Sequence, residues 1–273
     1  ALPAPPASIR RNARVTEAGA LDGGGVDDLA RRLGIGSRHL RRLFDAQLGV
    51  TPRAVALTRR VHLAQQLLAC TTLPVESVAS AVGFGSARRL RAACARQGGR
   101  SPAAMRRLAR AGEAPAAGST ITLRLAYRPP LAWDALLAYL RPRALPGVEA
   151  VGAATYRRAV AVGVDSGVVE IAADLPRHRL ALTLPTSLAA HLPHLVARTR
   201  ALADLDADPT LLSARLDADP LLAGRPAGLR VPGGWDPFEL AVRAILGQQV
   251  TVAAATLLAG RLVRAFGRPC DAP

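Results

Sequence analysis

The sequence predicts a multidomain chain: an all-α tandem helix-turn-helix domain, then an α+β domain with an antiparallel sheet, then the start of a second all-α domain. Three observations carry this. Apolar residues recur at three- and four-residue spacing through residues 9–111, where two helix–glycine–helix segments match each other. Strict alternation replaces that period in stretches between residues 121 and 185. Helical spacing returns from about Leu188. Half of the 273 residues are hydrophobic, so the chain can build a core in each part. The changes of period set the expected boundaries at 9–111, a linker at 112–119, then 120–190 and 191–273.

Residues 1–8 are rich in Pro and Ala and read as a tail or linker remnant; both ends of the chain read as cut edges. The first motif is VDDLARRLGIGSRHLRRLFDAQLG (26–49). Leu29, Ala30 and Leu33 make an apolar face, and Ala30 is small where two helices must approach. Gly34 ends the first helix, Ile35 fills the space between the helices, and Ser37 is expected to cap the second. That second helix carries Arg38, His39, Arg41 and Arg42 outside and Leu40, Leu43 and Phe44 inside. The pattern returns in PVESVASAVGFGSARRLRAACARQGG (74–99), with Val78, Ala79, Val82, Gly83, Phe84 and Ser86 in the matching places. Leu90, Ala93 and Cys94 then stand for Leu40, Leu43 and Phe44. Thr51-Pro and Ser101-Pro close the two units and suit the start of a following helix. Residues 52–69 between them read as one connecting helix.

Over roughly residues 9–110 this arrangement resembles the AraC-family DNA-binding domain. The resemblance implies two recognition helices, here Ser37–Gln47 and Ser86–Gln97, that enter successive major-groove segments on one face of a duplex. It makes Arg38, His39, Arg41, Arg42, Arg88, Arg89 and Arg91 the candidate base readers. Arg106, Arg107 and Arg110 are expected to meet phosphate or solvent. Leu90 and Cys94 stand where the family usually has aromatic residues, so lighter packing is expected in the second unit.

The charge agrees with this division. All 36 basic residues are arginine, which points to compositional bias, but their placement is uneven. Residues 1–115 hold 19 arginines against 7 acids, and residues 116–273 hold 17 against 13. The positive field therefore sits on the tandem motif.

GEAPAAGS (112–119) lacks any period and reads as the linker. After it, ITLRLAY (121–127), YRRAVAV (156–162), GVVEIAA (167–173) and RLALTLP (179–185) alternate as strands, while WDALLAYLRPRA (133–144) reads as helix. Farther on, Asp236 is placed to cap a helix with Glu239 three residues later as its capping-box partner. Ala241, Ile245 and Leu246 make an apolar face ahead of Gly247-Gln248-Gln249, whose amides either buttress a turn or reach a DNA groove. Asp204, Asp206, Asp208, Asp217 and Asp219 suggest a carboxylate cluster, but DADP-type spacing before short helices favours caps and solvated loops.

From about Ile121 onward the chain is similar to the AlkA-type 3-methyladenine DNA glycosylases. The matching features are the Pro129-Pro130, Trp133, Tyr139, Arg143 and Gly147-Val-Glu149 pattern, Tyr156-Arg-Arg158, Gly228-Leu-Arg-Val-Pro-Gly233 and FELAVRAILGQQVTVAAA (238–255). The resemblance implies DNA bending, insertion of a wedge from the minor groove and flipping of a damaged nucleotide into a pocket. It places the wedge on Gln249, with Gln248 and Thr251 flanking it. The family's catalytic aspartate follows a helix-hairpin-helix that is not read before Pro273. No catalytic residue is therefore assigned, and the segment is expected to be inactive alone.

The expected partner is double-stranded DNA, alkylation-damaged DNA included, with RNA polymerase a candidate second partner and the protein a monomer. Cys70, Cys94 and Cys270 have no CxxC spacing, so neither a structural metal nor a cofactor is expected, and a reducing compartment is implied. No apolar run reaches bilayer length, and a cytoplasmic, nucleoid-associated bacterial protein is expected. Two functional readings remain open. One is a repair enzyme with a DNA-binding regulatory head; the other is an AraC-type regulator whose C-terminal part only binds DNA or a ligand. A basic structural protein is disfavoured by the paired motifs.

Overall fold

The computed structural model describes residues 25–70, 73–98, 101–110, 120–222 and 224–270. The expected tail at 1–8, helix before residue 25 and linker at 112–119 lie outside them. The chain divides into two compact units, one whose described residues up to Arg110 are helical and one built on the sheet, with residues 190–197 grouped with the first.

The helical unit is two short helix pairs tied by one long helix. α1 (Val26–Arg32) and α2 (Ser37–Leu48) are joined at Gly34, and α4 (Val75–Ala81) and α5 (Ala87–Gly98) at Gly83. Both glycines have positive φ, 67° and 78°, which a side chain would strain. Leu29, Ala30, Leu40, Phe44 and Ala56 form the first core, with Ile35 packed against it as the plug. Val78, Ala79, Val82, Leu90, Ala93 and Cys94 are the buried counterparts in the second pair. Cys94 is free, and burial raises the pKa of its thiol, so it behaves as a small apolar filler.

α3 (Pro52–Cys70) is the connecting helix, and α6 (Pro102–Arg110) follows the second pair. Thr51 and Ser101 cap them by accepting from the N–H groups of Ala54 and Ala104, each at 3.2 Å. α3 places Ala56 in the first core and packs farther along against α4, α5 and α6, so its backbone fixes one pair to the other. One cap differs from expectation. Ser86 accepts from the Arg89 N–H at 3.3 Å, but Ser37 is already helical, and Gly36 holds the cap position with no side chain to offer. Arg106 donates to the Leu73 carbonyl and is a structural side chain, not a solvated one.

The second unit has a five-stranded antiparallel sheet in the order β1–β5–β4–β3–β2. Its strands are β1 (Thr120–Ala126), β2 (Glu149–Val151), β3 (Thr155–Val162), β4 (Asp165–Asp174) and β5 (Arg179–Pro185). The register pairs Ile121 with Leu184, Leu123 with Leu182 and Leu125 with Leu180, so one face is continuously apolar. α7 (Trp133–Leu140) buries Trp133, Leu136, Leu137 and Leu140. The expected helix over 133–144 is thus α-helical for its first part and continues as a 3₁₀ turn at Arg141–Arg143. The short edge strand β2 carried no alternation long enough to be read.

α8 (Leu192–Leu202), α9 (Pro209–Leu216), α10 (Pro237–Leu246) and α11 (Val252–Phe266) follow. Gly228, at φ 80°, lies so close to the Pro130 backbone that a Cβ would stand 2.5 Å from its carbonyl carbon. Beside it, buried Arg230 donates to the carbonyls of Arg128, Pro130 and Ala207. The aspartates have local tasks. Asp208 caps α9, Asp219 accepts from the Leu221 N–H, and Asp206 and Asp217 pair with Arg200 and Arg225. Among the described residues no helix is long and apolar enough to cross a membrane.

Candidate nucleic-acid interface

An α-helix turns about 100° per residue, so burial alone orients each recognition helix. In α2, Leu40 and Phe44 are buried and Leu43 half-buried, which places Arg38 and Arg42 on the outward face. His39 and Arg41 then occupy its two flanks. In α5 the buried set is Ala87, Leu90, Ala93 and Cys94, so Arg88 and Ala92 face outward with Arg89 on one flank and Arg91 on the other. All seven sequence-predicted readers are exposed. A 3.3 Å contact links the Arg42 guanidinium to His39 Nδ1, and a 3.4 Å ion pair links Arg91 to Glu76 of α4.

A cleft of about 930 Å³ separates the two helices. Arg41 of α2 lines one side and Arg89 and Arg96 of α5 line the other. The two units correspond through Leu40 and Leu90, so Arg41 matches Arg91, and His39 matches Arg89. Opposite flanks therefore face each other across the cleft. A two-fold rotation would bring equivalent flanks together; repetition in the same sense brings opposite ones together.

In the sheet unit, the three residues read as wedge and flanks occupy the turn between α10 and α11. Gln248 donates to the Ala244 carbonyl at 2.9 Å, and Thr251 caps α11 by accepting from the Ala254 N–H at 3.2 Å. Gln249 is exposed and left-handed, with φ 58°, a region that non-glycine residues seldom occupy.

Sequence reasoning missed what holds the helix leading into this turn. Glu149, Arg158, Glu239 and Arg243 form a closed ring of alternating charge. Arg158 Nη1 donates to Glu149 at 2.9 Å and its other terminal nitrogen to Glu239. Arg243 Nε donates to Glu239 at 2.9 Å and Nη2 to Glu149. The Tyr156 hydroxyl donates to Glu149 at 2.5 Å, and the Trp235 ring lies 5.2 Å from the Arg158 guanidinium carbon. Burial would raise the Glu149 pKa, but the Tyr156 hydrogen bond, Arg243 and Arg158 together hold it below the ordinary carboxylate value. Burial and the Glu149 charge keep the Tyr156 phenol protonated far into the alkaline range. Asp236 caps α10 as expected, accepting from the Glu239 N–H at 3.0 Å, while the Glu239 carboxylate serves the ring and does not complete a capping box. The signal was in YRRAVAV: alternation puts Tyr156, Arg158 and Val160 on the same face, which makes one arginine inward.

The helix-turn-helix domain family matches residues 29–108, and the AlkA N-terminal domain family matches residues 122–236. A probable bifunctional transcriptional activator/DNA repair enzyme AlkA of Mycobacterium tuberculosis is 38% identical over 268 residues, covering 96% of this chain and 53% of that protein. DNA-3-methyladenine glycosylase 2 of Escherichia coli is 40% identical over 147 residues, 54% of this chain and 51% of that protein. The chain spans about half the length of the curated relatives it matches. Among solved structures, an AraC-type transcriptional regulator from Chromobacterium violaceum aligns with 39% of this chain and 99% of its own, at 27% identity and a TM-score of 0.34.

Proposed function

On the premise that this chain joins an AraC-type helix-turn-helix region to an AlkA-type glycosylase N-terminal region, we propose that it recognises duplex DNA in the service of alkylation repair and its regulation. The observation that carries the reading is the matched pair α2 and α5, which border one cleft and each expose arginines opposite a buried apolar face. Arg38, Arg42 and Arg88 are its central base readers, with His39, Arg41, Arg89 and Arg91 on their flanks. An arginine forks onto the O6 and N7 acceptors of guanine, so this set favours G-containing half-sites. The domain limits are taken as 9–111, 112–119, 120–190 and 191–273. Gln249, flanked by Gln248 and Thr251, is the residue offered to a DNA groove by the second unit, and its backbone conformation is the strain expected where a side chain is re-aimed for function. The protein acts as a monomer in the bacterial cytoplasm, on the nucleoid, with alkylation-damaged duplex as one target and RNA polymerase as a second partner.

Selection of duplexes from a random pool, followed by anisotropy titration of the full chain, tests the reading. Binding is expected to weaken steeply with salt, and Arg88→Ala is expected to relax preference at one position of the selected site. Affinity indifferent to salt would overturn it.

A further inference from the structure

The cleft between the recognition helices has a chemistry of its own. Five of its lining residues are arginines (Arg41, Arg53, Arg60, Arg89 and Arg96), and Asp27 is its one carboxylate among the described residues. They are ordered. Arg53 and Arg60 stand seven residues apart on α3, two turns along one stripe, and Arg89 and Arg96 repeat that spacing on α5. Each pair therefore spans about 10 Å along its helix. Arg53, Arg89 and Arg96 are exposed and pair with no carboxylate among the described residues, whereas Arg91, on the far flank of α5, does. Arg60 reaches across to the Gly83 carbonyl at 3.4 Å and so joins the α3 stripe to the turn between α4 and α5.

We propose that this cleft is a phosphate track, in which Arg53, Arg89 and Arg96 hold the DNA backbone that passes between the two recognition helices. The inference rests on the DNA reading above and deepens it. When two helices enter successive major grooves of a duplex, the segment between them presents a minor groove bordered by both phosphate backbones. In this molecule that segment lies over the cleft, because Arg41 and Arg89 form its opposite walls. An excess of arginine without carboxylate partners complements phosphate, and the small Ala56 and Ala92 leave room for a backbone to approach. Two roles therefore separate within α5: Arg88 on the outward face reads bases, and Arg89, counted above as a flanking candidate reader, is reassigned by its place in the cleft to phosphate.

The test compares the full chain with Arg53→Ala, Arg96→Ala and Arg89→Ala on the selected duplex and on a scrambled one, across 50 to 200 mM salt. Each variant is expected to weaken both duplexes by the same factor and to flatten the salt slope by about one, so that its loss of affinity across that range is about fourfold smaller than wild type's. Arg53→Lys is expected to keep most of the slope, since phosphate accepts a point charge. Unchanged thermal unfolding checks that these exposed substitutions leave the fold intact. A wild-type slope in all three alanine variants would overturn the track while leaving DNA recognition standing. Loss confined to the selected duplex would also overturn it, by making these residues base readers. Failure of the wild-type chain to bind any duplex would remove the DNA reading and the track together.

Discussion

In the helical unit Arg38, Arg42 and Arg88 stand in solvent with no carboxylate beside them among the described residues; in the sheet unit Arg158 and Arg243 are closed between Glu149 and Glu239. Arg157, Arg179, Arg200 and Arg225 are likewise matched by Glu170, Asp174, Asp206 and Asp217. The same side chain does two jobs. Where it is left uncompensated it supplies a field for an external anion; where it is paired in a desolvated place it orients one element on another. A count of arginines does not separate these roles, but the acids around them do.

The sharpest way to break the comparison is to open the ring. Arg158→Met leaves Arg243 as the one ring cation against both Glu149 and Glu239, and removing one partner of a buried pair costs about 3–5 kcal/mol. Urea unfolding followed by tryptophan fluorescence reports the sheet unit, because Trp133 and Trp235 both lie there. A loss under about 1 kcal/mol would show that the ring is no more than a solvated surface network. The same ring predicts a pH dependence. The Glu149 pKa is lowered on folding, so its contribution is fully present above its ordinary value of 4.5 and is lost as pH falls through the lower folded value. Glu149→Gln is expected to reduce stability at neutral pH and to flatten that acid limb. An acid limb as steep as wild type's would assign it to other carboxylates.

Next in size is the contrast between an outward arginine and one on a peripheral helix. Arg88→Ala is expected to cost about 1–3 kcal/mol on the selected duplex and less on a scrambled one. Arg107→Ala, on α6, is expected to change either by no more than about 0.5 kcal/mol, as for a surface substitution away from a built site. Equal losses would place the interface elsewhere on the unit.

The helical unit was legible because its signals are local and occur twice. Gly34 and Gly83 mark the turns, Thr51-Pro52 and Ser101-Pro102 mark the next helices, and apolar spacing supplies both cores. The strands of the second unit were legible by alternation. What was not legible depends on register or on neighbours remote in sequence. Arg157 and Arg158 are adjacent, yet Arg157 faces solvent opposite Glu170 and Arg158 is buried against Glu239, 81 residues away. Glu239 reads as the second half of a capping box until Arg158 and Arg243 are seen beside it. Ser37 and Ser86 look equivalent, but only Ser86 caps, because α2 starts one residue earlier relative to its serine. The candidate readers were found as a set, but not their division between outward faces and flanks, which depends on what lies beside each helix.

The smallest expected effect separates the two repeats themselves. Arg41 and Arg91 are equivalent positions, but Arg41 lines the cleft, and Arg91 is held by Glu76 with both side chains largely exposed. An exposed pair of this kind is worth about 0.2–1 kcal/mol, and Arg91 must give it up before it can meet DNA. Glu76→Gln removes the competing carboxylate and one negative charge from the interface without touching the helix that reads. It is therefore expected to raise duplex affinity by up to about fivefold at low salt, with the gain fading as salt screens the charge. Arg41 has no carboxylate partner among the described residues, so the same substitution should leave the effect of Arg41→Ala unchanged while enlarging that of Arg91→Ala. A double-mutant cycle measures this difference, and zero coupling between Glu76 and Arg91 would mean that the second helix engages DNA without using that flank.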